Sequence, residues 1–320
     1  MKRLGEAQTP DEQSAEAAIQ AASVFDDEVS YALLVPDVVS PVHRGVESAV
    51  WRVAAGSGDV DTVLKVMRAD MRPFFDAQAA VAGVQMAGEL GVGPAVRWAD
   101  AEQGAVALDL LPEDWRTAGL YDLQHEQTMA SALAAVRRLH QGDALAAEFD
   151  VFAEVKRLER EARAEVDDLP PDLWRLMGDV ADIGQAVHAA GRDLAPCRND
   201  GAASNLMIGP DGSVMLLDFD RAGMNDPIYD LGVLIAEAHP FASEAARTVE
   251  VWCGRFEAAV LDRALLYGAA DDLMWGLWGL IAAVRSPRRH VEFRKYGEWR
   301  LMRCRSVLAD PRFEERLRGL

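Results

Sequence analysis

Hydrophobic positions fall into two regimes along this chain. Up to about residue 112 they come in short blocks bounded by small or breaking residues; after about Tyr121 they recur at helical spacing. From Val38 to Val66 the pattern predicts strand, small-residue loop, strand, hairpin turn, strand. Val42-His43-Arg44 leads into Gly45-Val46-Glu47-Ser48, Ala49–Val53 follows, a Gly/Ser/Asp turn falls at 56–59, and Thr62–Val66 closes the set. Asp76–Leu90 reads as an Ala-rich helix stopped by Gly91-Val92-Gly93-Pro94. Val96–Trp98 and Ala105–Leu111 read as two further strands before Pro112-Glu113-Asp114 breaks the pattern. Residues 1–22 are polar and Ala/Glu/Gln-rich, a frayed helix or a disordered arm.

The second regime predicts helices at Leu123–His140, Phe152–Val166 and Leu173–Ala190, with Pro170-Pro171 as a break. Helices are also expected at Ala245–Leu266, Asp271–Val284 and Tyr296–Leu308. Between the two helical groups, Cys197–Glu237 reads as loop, strand, turn, strand, loop, helix. Leu206–Ile208 and Val214–Leu217 are its strands, and Pro210-Asp211-Gly212 is the tight turn. The fold class is therefore α+β in two lobes: a small β-rich lobe with one helix, then a larger, mostly helical lobe. The expected divisions are an arm at 1–22, an N-lobe at 23–112 and a C-lobe at 113–320. A length of 320 residues agrees with two lobes at roughly 150 residues per domain.

Half of the residues are hydrophobic and 27% are charged, an ordinary globular balance. The formal net charge of -19 argues against nucleic acid or an anionic membrane as a partner, since both need basic patches. The three cysteines, Cys197, Cys253 and Cys304, have no metal-site spacing, and no apolar run reaches the about 18 residues of a membrane span. With no leader-like apolar segment near the N-terminus, a cytoplasmic protein without membrane insertion is expected. Oligomeric state is not legible.

The chemistry concentrates in Cys197–Glu237. Its hairpin brings Asn205, at the start of one strand, beside Asp218, at the end of the next, with Asp200 on the preceding loop. Two carboxylates and an amide make a hard, oxygen-rich site suited to Mg²⁺. The spacing also fits a kinase catalytic loop, Asp-x-x-x-x-Asn followed by a metal-strand Asp. Any one of these residues alone would be a turn former; the ordered set is the signal.

Taken together with the lobes, these motifs resemble the choline/ethanolamine kinase and aminoglycoside phosphotransferase superfamily, with its protein-kinase-like fold. The choline-kinase-like branch is the nearer pattern. The quoted motifs are Arg198-Asn199-Asp200 with Ser204-Asn205, Asp218-Phe219-Asp220, the stretch 222–232, and Trp275-Gly276-Leu277-Trp278 followed by Glu292-Phe293, Tyr296 and Arg300. The resemblance implies an ATP- and Mg²⁺-dependent phosphotransferase. In it Asp200 would orient or accept the proton of the acceptor hydroxyl, and Asn205 and Asp218 would hold Mg²⁺. Lys65 would meet the α/β phosphates under a covering loop at Gly45–Ser48, and backbone groups of Asp109 to Leu111 would contact adenine. Asp230 would steady the catalytic loop. The implied acceptor is a small cationic molecule, choline first, against Trp275, Trp278, Tyr296 and Asp220, although Trp275 and Trp278, three apart on a helix, read equally well as core residues. His140 reads as structural and Cys197 as a packing thiol.

Three departures from the family pattern bear on this reading. Arg198 stands where the family has His, so the loop must be braced differently. Ala80 occupies the position of the N-lobe helix Glu, leaving Asp76 as the expected ion-pair partner of Lys65, with Gln78 as a neutral fallback. In the segment just after Glu237, where eukaryotic choline kinases place further aromatics, only Phe241 offers an aromatic ring. An aminoglycoside or sugar kinase of the same fold, and a catalytically silent nucleotide-binding protein, are the alternatives.

Overall fold

Strand alternation organises the first lobe. A computed structural model describes residues 1–25, 28–39, 43–55 and 61–320. Its six-stranded antiparallel sheet has the order β1-β2-β3-β4-β6-β5. The strands are β1 (Lys2–Arg3), β2 (Val29–Val35), β3 (Ser48–Ala55), β4 (Thr62–Met67), β5 (Val96–Asp100) and β6 (Ala105–Asp109). Ala49, Trp51, Val53, Leu64, Val66, Ala105 and Ala107 all point to one face, where they pack with Ala15, Ala18 and Ile19 of helix α1 (Pro10–Ala21). The alternate positions Val50, Val63, Lys65, Val106 and Leu108 line a cleft on the other face. A period of two thus decides that Lys65 faces the cleft while its neighbours Leu64 and Val66 are core.

Three expectations change here. Helix α1 is a capped element: Thr9 and Glu12 form a capping box around Pro10 at the first helical position, and Glu16 accepts the Tyr31 hydroxyl at 2.7 Å. The first long strand is Val29–Val35. Val42 and the expected turn at 56–59 lie outside the described residues. Helix α2 (Ala77–Glu89) matches its prediction, but Asp76 is its N-cap and accepts the backbone N–H groups of Gln78 and Ala79 at 2.9 and 3.1 Å. That use of Asp76 takes it away from Lys65.

The second lobe contains β7 (Arg116–Thr117), α3 (Leu120–Leu123), α4 (Glu126–Leu139), α5 (Val151–Glu165), α6 (Leu173–Ala190) and β8 (Ala195–Cys197). It continues with β9 (Leu206–Ile208), β10 (Val214–Leu216), β11 (Gly223–Asn225), α7 (Pro227–Ala238), α8 (Ala246–Cys253), α9 (Ala258–Arg285), α10 (Phe293–Leu308) and α11 (Phe313–Arg318). Strands β9 and β10 form the expected hairpin with Leu206 opposite Leu216, β7 pairs with β9, and β8 pairs with β11. The predicted helix from Leu123 is two pieces, α3 and α4. The predicted helix Ala245–Leu266 also divides, because Gly254 adopts a left-handed backbone (φ +78) that ends α8. Helix α9 then runs unbroken through the expected gap at 267–270. It is buried on every side from Ala264 to Ala282, so it carries no amphipathic stripe that would mark its limits. Among the described residues no helix is long and apolar enough to cross a membrane.

Helices α9 and α10 cross where glycine meets glycine. A Cβ on Gly279 would lie 2.7 Å from Gly297 Cα and 2.8 Å from its nitrogen, which are backbone atoms that cannot turn aside. Gly279→Ala is expected to lower stability by about 1–3 kcal/mol through overpacking, read as a reduced urea midpoint at unchanged m-value.

Candidate active site

The loop from Arg198 to Asn205 has little ladder of its own, so buried side chains hold it. Asp230, on the first turn of α7, accepts the backbone N–H of Asn199 at 2.7 Å on one carboxylate oxygen. Its other oxygen lies 3.1 Å from the N–H of Arg198 and 2.9 Å from His140 Nε2. Asn199 takes a left-handed backbone (φ 60), which Asn tolerates better than most residues. Its amide donates to the Arg221 carbonyl at 2.8 Å and accepts from Asn225 at 2.8 Å.

Arg198 is fully buried and supplies the alternative brace. Its guanidinium donates to the carbonyls of Asn205 (3.0 Å), Leu217 (3.1 Å) and Asp200. One planar cation therefore ties both ends of the catalytic loop to the end of β10, a geometry that a lysine cannot copy. Cys197 is buried, its thiol pKa is pushed up by that burial, and it donates to the Asn225 carbonyl at 3.5 Å.

Asp200, Asn205 and Asp218 come together. Asp200 accepts the Ala202 N–H at 2.7 Å and the Asn205 side-chain amide at 2.5 Å. Leu217 N–H donates to the Asn205 carbonyl at 2.8 Å, which sets Asp218 beside it. Asp218 itself has a left-handed backbone (φ 59) that turns its carboxylate toward the cleft. Lys65 reaches across from the sheet and lies 2.8 Å from Asp218 and 2.6 Å from Asp220. These two carboxylates, and not Asp76, are the partners of Lys65. Asp220, expected against the acceptor, spends one oxygen on that lysine, and its other oxygen is buried without a partner.

Charge explains the titration of the three carboxylates. Burial pushes Asp200 up, Arg198 opposes the shift and Asp218 adds to it. Burial also acts against ionised Asp218, but the Lys65 ammonium outweighs it and holds this carboxyl below the usual range. Asp220, buried and beside Asp218, is pushed up to about 7 despite Lys65. Asn205, Asp218 and Asp220 carry oxygen donors of the kind Mg²⁺ prefers, and one Asp220 oxygen has no partner among the described residues.

Two cavities meet at these residues. The cleft under the sheet has a volume of about 440 Å³, is largely apolar, and is lined by Gly45, Ser48, Lys65, Asp109, Leu111 and Asn205 among others. Gly45 has φ +59, so the expected covering loop turns through a conformation that favours glycine. A small pocket of about 30 Å³ opens beside Asp200 and is lined by His43, Glu47, Phe75, Arg221, Trp275 and Tyr296. Asn205, Asp218 and Asp220 border both spaces. Trp278 does not reach the pocket. It is fully buried against Phe74 and Phe293, with ring centroids at 6.1 and 5.5 Å. Phe241 is 67% exposed and lines neither space.

Sequence reasoning passed over His43, Glu47, Arg221 and Glu237. His43 Nε2 lies 2.5 Å from Glu47 Oε1, a contact four residues apart in a segment read as the end of a strand and a covering loop. Glu237 accepts the Ala203 N–H at 3.1 Å and so joins α7 to the catalytic loop. Arg221 follows the Asp218-Phe219-Asp220 triplet directly, and a cation at that place was the available signal.

A sheet lobe and a helical lobe, with a kinase-type Asp/Asn/Asp loop at their seam, define a phosphotransferase of the protein-kinase-like class. The chain belongs to the phosphotransferase enzyme family (APH), whose model matches residues 38–271. It is 25% identical over 232 residues to each of two sequences of the protein LicA from Haemophilus influenzae; the match spans 67% of this chain and 63% and 80% of theirs. Its fold is similar to a choline/ethanolamine kinase family protein from Mesorhizobium loti (TM-score 0.78, 22% identity, 97% of this chain and 98% of that one). It is also similar to the choline kinase LicA of Streptococcus pneumoniae (TM-score 0.74, 18% identity, 93% and 98%).

Two outcomes follow from the site geometry. Arg198→Met removes the cation from its buried carbonyls, and a loss of about 2–4 kcal/mol is expected from charge-assisted bonds left unmade, with Arg198→Lys recovering little in the same denaturation measurement. Asp220 titrates higher folded than unfolded, so the stability this gives is fully present at low pH and is lost as pH rises toward about 7. In chelator-treated, nucleotide-free protein the Tm of Asp220→Asn should therefore gain on wild type between about pH 4 and 7 and level off above. A constant difference across that range would show that Asp220 titrates normally.

Proposed function

We propose that this protein is an ATP- and Mg²⁺-dependent kinase that transfers the γ-phosphoryl group to the hydroxyl of a small molecule. The observation that carries the reading is the position of Asn205, Asp218 and Asp220 on the boundary between a nucleotide-sized cleft and a pocket that opens on Asp200. Adenine fits the apolar end of the cleft, against the backbone of Asp109 to Leu111. The phosphates then run past Gly45 and Ser48 toward Lys65. Asn205 and Asp218 would hold Mg²⁺, which supplies charge neutralisation at the transferring phosphoryl group. Asp200 faces the acceptor side, where its carboxylate orients the hydroxyl and takes its proton as transfer proceeds. The raised pKa of Asp200 makes it a better base than an exposed aspartate.

The intact set Lys65, Asp200, Asn205 and Asp218 speaks against a silent nucleotide-binding protein. Trp275 and Tyr296 line the acceptor pocket, which supports an amino alcohol of choline type so far as those ring faces are open to it. The lobes are proposed to divide near residue 112 and the enzyme to act on a cytoplasmic pool of its acceptor.

An ADP-release assay across choline, ethanolamine, thiamine, sugars and aminoglycosides tests this function. Turnover should require Mg²⁺. Asp200→Ala should lower kcat by about 10²–10⁴-fold while Mg·ATP binding, read by calorimetry, persists. Wild-type turnover in that variant, or loss of nucleotide binding with it, would overturn the assignment of Asp200.

A further inference from the structure

The aromatic wall of the acceptor pocket already holds a cation. The Arg221 guanidinium carbon sits 4.5 Å from the Trp275 ring centroid and 4.8 Å from that of Phe75. Arg221 is only 7% exposed, yet its Nε and one terminal nitrogen have no hydrogen-bond partner among the described residues. Its carboxylate partner among those residues is Glu154, 3.5 Å away, and Glu154 is itself held by Arg157 at 2.6 and 2.7 Å. The charge of Arg221 is therefore shared thinly, with donors left over beside the small pocket. Its place is fixed from the other side, because the Arg221 carbonyl accepts the side-chain amide of Asn199, next to Asp200.

These contacts bear on what can bind. A quaternary ammonium needs open aromatic faces and has no hydrogen bond to offer. Here two of the pocket aromatics, Phe75 and Trp275, are covered by a like charge, and Trp278 is in the core. Unmet guanidinium N–H groups favour the opposite chemistry, an oxygen acceptor and above all a carboxylate.

Resting on the kinase reading above, we infer that Arg221 sets acceptor specificity: the acceptor is a hydroxylated small molecule that presents hydrogen-bond-accepting oxygen, carboxylate foremost, to this guanidinium, and Arg221 excludes choline. The hydroxyl faces Asp200 while the oxygen-bearing end meets Arg221. His43 pairs with Glu47 and Arg300 with Asp271 and Asp272, each keeping one nitrogen without a hydrogen-bond partner among the described residues, whereas Arg221 has two.

Calorimetric titration in the presence of Mg·ADP provides the test, with glycerate, glycerol and choline as probes of carboxylate, neutral polyol and quaternary ammonium. Wild type should bind glycerate about tenfold or more tighter than choline, and Arg221→Met should tighten choline by about tenfold while weakening glycerate. Glycerol equal to glycerate in wild type would keep the oxygen assignment and place it on neutral hydroxyls. Choline binding as tightly to wild type as to Arg221→Met, or more tightly to wild type than both oxygen probes, overturns the inference. If Arg221→Met does not fold, the wild-type comparison and Arg221→Lys, which should keep choline excluded, decide it. Failure of ADP release with every acceptor, alongside the wild-type binding preference, would count against the kinase reading and leave the role of Arg221 standing.

Discussion

A single buried carboxylate, Asp230, holds the loop from Arg198 to Asn205 in shape. Asp230 receives two consecutive backbone N–H groups and a histidine, so three donors that would otherwise be unmet converge on one side chain. With little strand or helix to impose a path between Arg198 and Asn205, the direction of Asp200 depends on this convergence. Arg198 completes it by gathering two carbonyls of the same loop, Asp200 and Asn205, and that of Leu217 at the end of β10. Acceptors and donors around one short segment are thus satisfied by two oppositely charged side chains, each buried and each unable to leave without stranding its own partners.

The first lobe contributes through simpler means. Period-two alternation turns Lys65 to the cleft, and the capped helix α1 covers the opposite face so that the sheet can be apolar on that side. The lysine then spans from the sheet to the Asp218-Phe219-Asp220 segment, and its two ion pairs are a polar link between the lobes at the site, beside the hydrogen bond from the Ser204 hydroxyl to the His43 carbonyl. Without an acidic residue at position 80, α2 makes no claim on Lys65, which leaves the lysine wholly to Asp218 and Asp220.

The two-lobed fold and the Asp200, Asn205, Asp218 set were legible because each rests on local rules: alternation, turn residues and fixed spacing within one hairpin. Assignments that depended on distant packing were less so. Asp76 precedes a helix and was legible equally as an N-cap, yet the family pattern drew it toward Lys65. Trp275 and Trp278 stand three apart on α9, and nothing in that spacing tells which of them faces the pocket when the whole helix is buried. Arg221 went unread because its meaning comes from the rings of Phe75 and Trp275, which lie far from it in sequence.

The pairing of Lys65 with Asp218 and Asp220 has a consequence for the order of events at the site. The oxygens that would coordinate a divalent ion are, at rest, neutralised by the protein's own ammonium. A bare ion must compete with that lysine, whereas a nucleotide brings phosphate oxygens that give the lysine another place to go. Under the proposed function, metal and nucleotide would then be thermodynamically linked: each would raise the affinity of the other by the same factor, because each would disfavour the same resting ion pair.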